Sequence, residues 1–220
     1  MSRIIAICCG ILLLAGCAAP SVTVVSHKEP TRPYAKVLAI YLDESCDLTM
    51  FDSMTYNICI RSAFMNRGSL EVRTKVENLL AERLTSAGTS IIKAAALFKA
   101  SAPGYDDFNT KVRELGVDAI LLINFSKYMH DEYINAPNRA SNGIQINSGI
   151  APGYKGNGPE RMKLNSGFEC YLMLPKDMRS PVWVAQIGSK GNRYSGKKGL
   201  DEGLVRKLET TLKHAGYIAY

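Results

Sequence analysis

The stretch Tyr105-Asp-Asp-Phe-Asn-Thr-Lys-Val-Arg-Glu-Leu-Gly-Val-Asp-Ala-Ile-Leu-Leu-Ile-Asn-Phe125 contains one complete change of periodicity. Phe108, Val112 and Leu115 recur on one helix face and Gly116 supplies a stop. From Val117 the residues form an almost unbroken apolar run of strand length. A helix followed at once by a strand covered on both faces is the second half of a β-α-β unit.

The first half lies upstream. Residues 35–43 (Ala-Lys-Val-Leu-Ala-Ile-Tyr-Leu-Asp) read as another buried strand. In residues 69–88, Ser69 can cap, Glu71 sits in the first turn, and Val72, Val76, Leu79, Leu80 and Leu84 form an apolar stripe that Gly88 ends. Lys75 falls on the exposed side of that helix. Residues 89–93 supply a short strand, so the order is strand, helix, strand, helix, strand. Residues 168–174 and 182–188 alternate like an antiparallel hairpin, with Cys170 and Trp183 in its core. A last helix, near 201–215, turns Leu204, Val205, Leu208 and Leu212 inward and stops at Gly216. The expected fold is α/β: a single domain whose mixed sheet combines parallel β-α-β units with an antiparallel hairpin, with helices packed on the sheet. Residues 44–68 read as a partly ordered connection, and 135–167 as a long Gly/Asn-rich loop.

The N-terminus gives an address. Arg3 precedes an apolar run from Ile4 to Leu14 that is too short to span a bilayer, and Leu14-Ala-Gly-Cys17 has the order of a lipobox. Residues 1–16 are expected to be a removed signal peptide, and Cys17 to carry a covalent lipid of the palmitate type. In this respect the segment resembles bacterial lipoprotein signals, and Ala18 in place of aspartate implies transfer to the outer membrane, with the domain in the periplasm. Residues 17–34, with Pro20, Pro30 and Pro33, read as a lipidated flexible tether, and 35–220 as the envelope domain.

Composition bounds the rest. An apolar fraction of 46% with 21% charged residues argues for a packed core and against disorder. The formal charge of +7 favours anionic surfaces, and an exported protein meets no nucleic acid. Of six cysteines, Cys8 and Cys9 leave with the signal and Cys17 takes lipid. In an oxidising compartment Cys46 and Cys59 can close a short disulfide loop or remain separate thiols. No metal or cofactor site is expected, because paired Cys or His ligands at short spacing are missing and His130-Asp131-Glu132 reads as solvated charge at a strand end.

Chemistry is thin. Gly191-Asn-Arg-Tyr-Ser-Gly-Lys-Lys198 matches a phosphate loop until its last position, where Lys198 replaces the hydroxyl that would ligate magnesium, so no nucleotide is expected. His27, His130 and His214 form no signature with a nucleophile, and the chain is expected not to be an enzyme. Lys197, Lys198, Arg206, Lys207 and Lys213 cluster around the last helix, either as a solvated face or as an anion-facing patch.

Lys111 to Phe125, Phe168-Glu-Cys-Tyr-Leu-Met-Leu-Pro175 and Pro181-Val-Trp-Val-Ala-Gln186 together resemble envelope lipoproteins with an anticodon-binding-domain-like α/β fold. These include the curli-secretion channel lipoprotein, the outer-membrane activator of penicillin-binding proteins and the exopolysaccharide-export ring lipoprotein. The similarity runs over roughly residues 35–216, and 44–68 and 135–167 depart from it. It implies no catalytic residues. The sequence thus predicts a non-enzymatic, lipid-anchored envelope protein that contacts an envelope protein or its own copies as an assembly, secretion or regulatory accessory. The alternatives are an enzyme acting on cell-wall or polysaccharide substrate and a basic module binding an anionic envelope polymer.

Overall fold

A computed structural model describes residues 22–43, 46, 48, 51–86, 88–99, 102–130, 163–192 and 196–219. Six strands form one sheet: β1 (Val22–His27), β2 (Lys36–Leu42), β3 (Ser90–Lys93), β4 (Ala119–His130), β5 (Lys163–Met173) and β6 (Trp183–Asn192). Their order is β1-β6-β5-β4-β2-β3. The trio β4, β2 and β3 is parallel, while β4–β5, β5–β6 and β6–β1 pair antiparallel. The mixed α/β sheet predicted from periodicity is therefore the observed one.

Alternation sorts the core onto two faces. Val37, Ala39 and Tyr41 of β2, with Ala119, Leu121 and Ile123 of β4 and Phe168, Cys170 and Leu172 of β5, pack on one side. Two helices cover that side: α2 (Leu70–Ser86), through Val76, Leu80 and Leu84, and α5 (Gly196–His214), through Leu204, Val205, Leu208 and Leu212. Trp183 is fully buried there. Leu38, Ile40 and Leu42 of β2, with Ile120 and Leu122 of β4, face the other side. That side is covered by α1, which runs Ser53–Thr55, a π-helical turn at Tyr56–Arg61 and Ser62–Met65, and by α4 (Tyr105–Leu115). A short α3 (Ala94–Leu97) follows β3.

Local chemistry sets the joints. Asp106 and Asp107 lie in the first turn of α4 and Arg113 in its last, each complementing the helix dipole. Gly116 closes α4 at φ 58°, a left-handed conformation that a side chain would strain. Asp118 then accepts the backbone N–H groups of Ala35 and Lys36 at 2.9 and 3.0 Å, which aligns the start of β2 with β4.

Four expectations change. Residues 17–34 are not a free tether from Val22 onward, because β1 pairs with β6 and the chain after it is pinned. The Lys28 N–H donates to Val182 at 2.9 Å, and the Tyr34 N–H to Tyr217 at 2.7 Å. The 44–68 connection contains α1, a helix of three turns' length. Within 135–167, Lys163 to Gly167 belong to β5, with Gly167 opposite Lys127 and Gly188, and the remainder of that segment lies outside the described residues. The last helix also starts earlier than its apolar stripe, at Gly196.

Candidate interaction surfaces

In an open α/β sheet, ligands bind beyond the carboxyl ends of parallel strands, where successive crossovers leave in opposite directions. Here that point lies between β2 and β4, since the chain passes from β2 to β3 on one side and then returns across β2 to β4. Asn124, opposite Leu42 in the register, is fully buried at this point. Its Oδ1 accepts the Cys46 N–H at 3.1 Å and its Nδ2 donates to the Cys46 carbonyl. Cys46 is joined by a disulfide to Cys59 of α1, with Cα atoms 6.0 Å apart. The chain's own backbone thus occupies the position of a ligand.

Around this closure lie buried charges. Glu77 of α2 accepts the Ala95 N–H at 2.7 Å and the Tyr41 N–H at 3.3 Å. Burial pushes its carboxyl up to about 7, against the opposing pull of those two N–H groups and of Arg73 and Lys93. Arg73, one turn earlier, is 2% exposed with its guanidinium 5.6 Å from the centre of the Phe64 ring, and burial holds its pKa below the ordinary arginine value. These groups tie α2 to the ends of β2 and β3. Cys170 is a buried free thiol whose desolvation raises its pKa far above the ordinary value, a state unsuited to nucleophilic attack.

At the opposite end of the sheet a cleft of about 440 Å³ separates α4 from the β5–β6 turn. Asp106 and Asp177 share it with Arg113, Lys176 and Arg179, so it carries both signs of charge. Among the described residues, no group of three His, Cys, Asp or Glu side chains is placed to hold a metal ion.

The residues singled out by sequence disperse. Cys17 lies outside the described residues. Lys197 and Lys198 fall in the first turn of α5, and Gly191 and Asn192 end β6, so the phosphate-loop-like segment does bridge a strand and a helix. Arg206 is exposed. Lys207 Nζ donates to the Gly188 carbonyl, and Lys213 pairs with Glu209 at 3.0 Å. His130 ends β4 opposite Leu164. Lys75, expected on the exposed side of its helix, lies 2.5 Å from the buried carboxylate of Asp201 on α5.

The surface that sequence reasoning missed is on α1. Tyr56, Cys59, Ile60 and Phe64 point into the core, while Met54, Ile58 and Met65 on the outer side are 70%, 58% and 66% exposed. The helix is fixed from several directions. Asp52 accepts the Thr55 N–H at 2.8 Å as its cap, the Tyr56 hydroxyl donates to Pro103 at 2.9 Å, and the Tyr56 ring packs 4.8 Å from Phe108. A second apolar exposure is on the edge strand β1, at Val24 and at Val25, the extra residue of a bulge between Val24 and Ser26.

No protein-family model matches the sequence, and no curated protein matches it. Among solved structures, the chain is similar to the PelC dodecamer from Paraburkholderia phytofirmans at 11% identity and a TM-score of 0.42, over 90% of this chain and 98% of that one. It is similar to lipoprotein GNA1162 from Neisseria meningitidis at 16% identity and a TM-score of 0.39, over 82% and 99%. It is also similar to the hypothetical protein CT253 from Chlamydia trachomatis at 10% identity and a TM-score of 0.37, over 85% and 98%.

Proposed function

We propose that this is a non-enzymatic, lipid-anchored lipoprotein of the cell envelope that works through protein–protein contacts, as an assembly, secretion or regulatory accessory. The lipobox at Leu14 to Cys17 supplies the anchor, and Ala18 after it favours the outer membrane with the domain in the periplasm. The observation that carries the reading is the exposed row of Met54, Ile58 and Met65 on a helix that a disulfide and a buried face hold in place. Large apolar side chains gathered on one rigid surface favour burial against another protein, and methionine adapts its shape to the partner. The closure of the β2/β4 crevice by Cys46 supports the same reading, because it fills the position where this architecture would take a small substrate. The partner is an envelope protein or a second copy of this chain.

The test is complementation of a deletion strain by Ile58→Asp and His130→Ala, each checked for abundance and localisation. The proposal expects Ile58→Asp to be folded, localised and inactive, and His130→Ala to be active. The reverse pattern would assign the protein to the enzymes.

A further inference from the structure

The polar cleft between α4 and the β5–β6 turn has no part in the contact assigned to α1, and the helix gives it a direction. Asp106, Asn109, Thr110 and Arg113 stand at i, i+3, i+4 and i+7 on α4, so they form one stripe, and all four line the cleft. A helix rises about 1.5 Å per residue, which sets the acidic end of this stripe roughly 10 Å from its basic end. An amide and a hydroxyl lie between them. The facing wall, from the turn, adds Lys176, Asp177 and Arg179.

The helix dipole by itself accounts for Asp106 in the first turn of α4 and Arg113 in the last. It does not account for the charges opposite. Asp106, Arg113, Lys176, Asp177 and Arg179 share one cleft, yet among the described residues none of the five forms an ion pair, and Arg113 Nη2 donates only to Thr110 of its own stripe, at 3.4 Å. Asn109 Oδ1, in the same wall, is buried and has no hydrogen-bond partner. Water can solvate each of these charges separately. A molecule that carries both signs in the right order gains from the whole stripe at once, and a few convergent polar groups in a concave site are what fix such a molecule's orientation.

We infer that the cleft is a binding site for a short zwitterionic peptide of about three residues, lying along α4 with its terminal ammonium group at Asp106 and its terminal carboxylate at Arg113. An extended chain spans about 3.3–3.6 Å per residue, so three residues match the stripe from end to end. The peptide's amide groups then fall beside Asn109 and Thr110. From the facing wall Lys176 and Arg179 offer donors to its carbonyl groups, and Asp177 offers an acceptor to its N–H groups. The cleft's volume of about 440 Å³ lies within the range of small-molecule sites. This site requires neither the lipid anchor nor the α1 contact.

The experiment titrates tri-alanine into the isotope-labelled, acylated full chain in detergent micelles and reads binding from the backbone amide NMR signals. The expected result is saturable shifts confined to residues 105–113 and 175–179. N-terminal acetylation or C-terminal amidation of the peptide should each weaken binding about fivefold, and alanine alone, too short to reach both ends, should bind more weakly still. Asp106→Asn should weaken binding of tri-alanine by a similar factor and leave that of the acetylated peptide unchanged. Arg113→Gln should weaken tri-alanine likewise and leave the amidated peptide unchanged. Asp107→Asn, which removes a first-turn charge of α4 outside the cleft, should bind tri-alanine as the parent chain does. No saturable shift at millimolar tri-alanine, shifts centred elsewhere, or an Asp106→Asn effect that is the same for acetylated and unmodified peptide would overturn the site.

Discussion

The carboxylate of Glu77 on α2 and the backbone N–H of Ala95 in α3 meet at 2.7 Å in the interior, so a single buried acid joins the helices that precede and follow β3. Its carboxyl is raised from an ordinary 4.5 to about 7, chiefly by burial. The folded chain therefore holds more protons than the unfolded chain within that window. The stability contributed by this group is complete below pH 4.5 and is lost as the pH rises through about 7. Urea midpoints should fall between about pH 5 and about pH 8, by an amount equivalent to roughly 1–3 kcal/mol. Glu77→Gln should flatten this slope. An equal slope in the variant would remove Glu77 as its source.

The Cys46–Cys59 bridge should contribute roughly 2–4 kcal/mol by restricting the unfolded chain. Cys46→Ser combined with Cys59→Ser, or reduction of the native chain, should lower the urea midpoint accordingly. Identical midpoints for oxidised and reduced protein would contradict the assignment.

Leu80→Ala and Leu208→Ala, both fully buried on the same sheet face, should each cost about 2–5 kcal/mol. Lys75→Ala, which its helix position alone would make neutral, should cost on the order of 1–3 kcal/mol because it strips the buried Asp201 of its cation. Exposed Glu82→Ala is the silent control. Denaturation midpoints separate the four. A silent Lys75→Ala would show that Asp201 does not depend on it.

The elements legible in the sequence were those with one apolar periodicity and clear stops. The helix predicted at 105–115 is α4, ended by Gly116, and the runs at 35–43 and 117–125 are the centre of the sheet. Helix α1 was hidden because it is apolar on two sides: Tyr56, Cys59, Ile60 and Phe64 serve the core while Met54, Ile58 and Met65 face out, and a π-helical turn breaks the 3.6-residue spacing. Strand β1 was hidden by its bulge, which sets Val24 and Val25 side by side and spoils the alternation. The Lys75–Asp201 pair spans 126 residues, a distance over which local pattern carries no information.

Cys17→Ser should abolish incorporation of labelled fatty acid and leave residues 1–16 attached, because the thiol is the acceptor and its modification precedes cleavage. Radiolabel on the Cys17→Ser protein would show that the lipobox had been misread.

The central claim is that the outer face of α1 is a protein contact. A photo-crosslinking residue in place of Ile58, in intact cells, measures this directly. The account predicts an adduct of defined mass with an envelope protein or a second copy of the chain, and no adduct when the same residue replaces exposed Thr74 on α2. A correctly localised protein that gives no adduct at position 58, or the same adducts at 58 and 74, would contradict it.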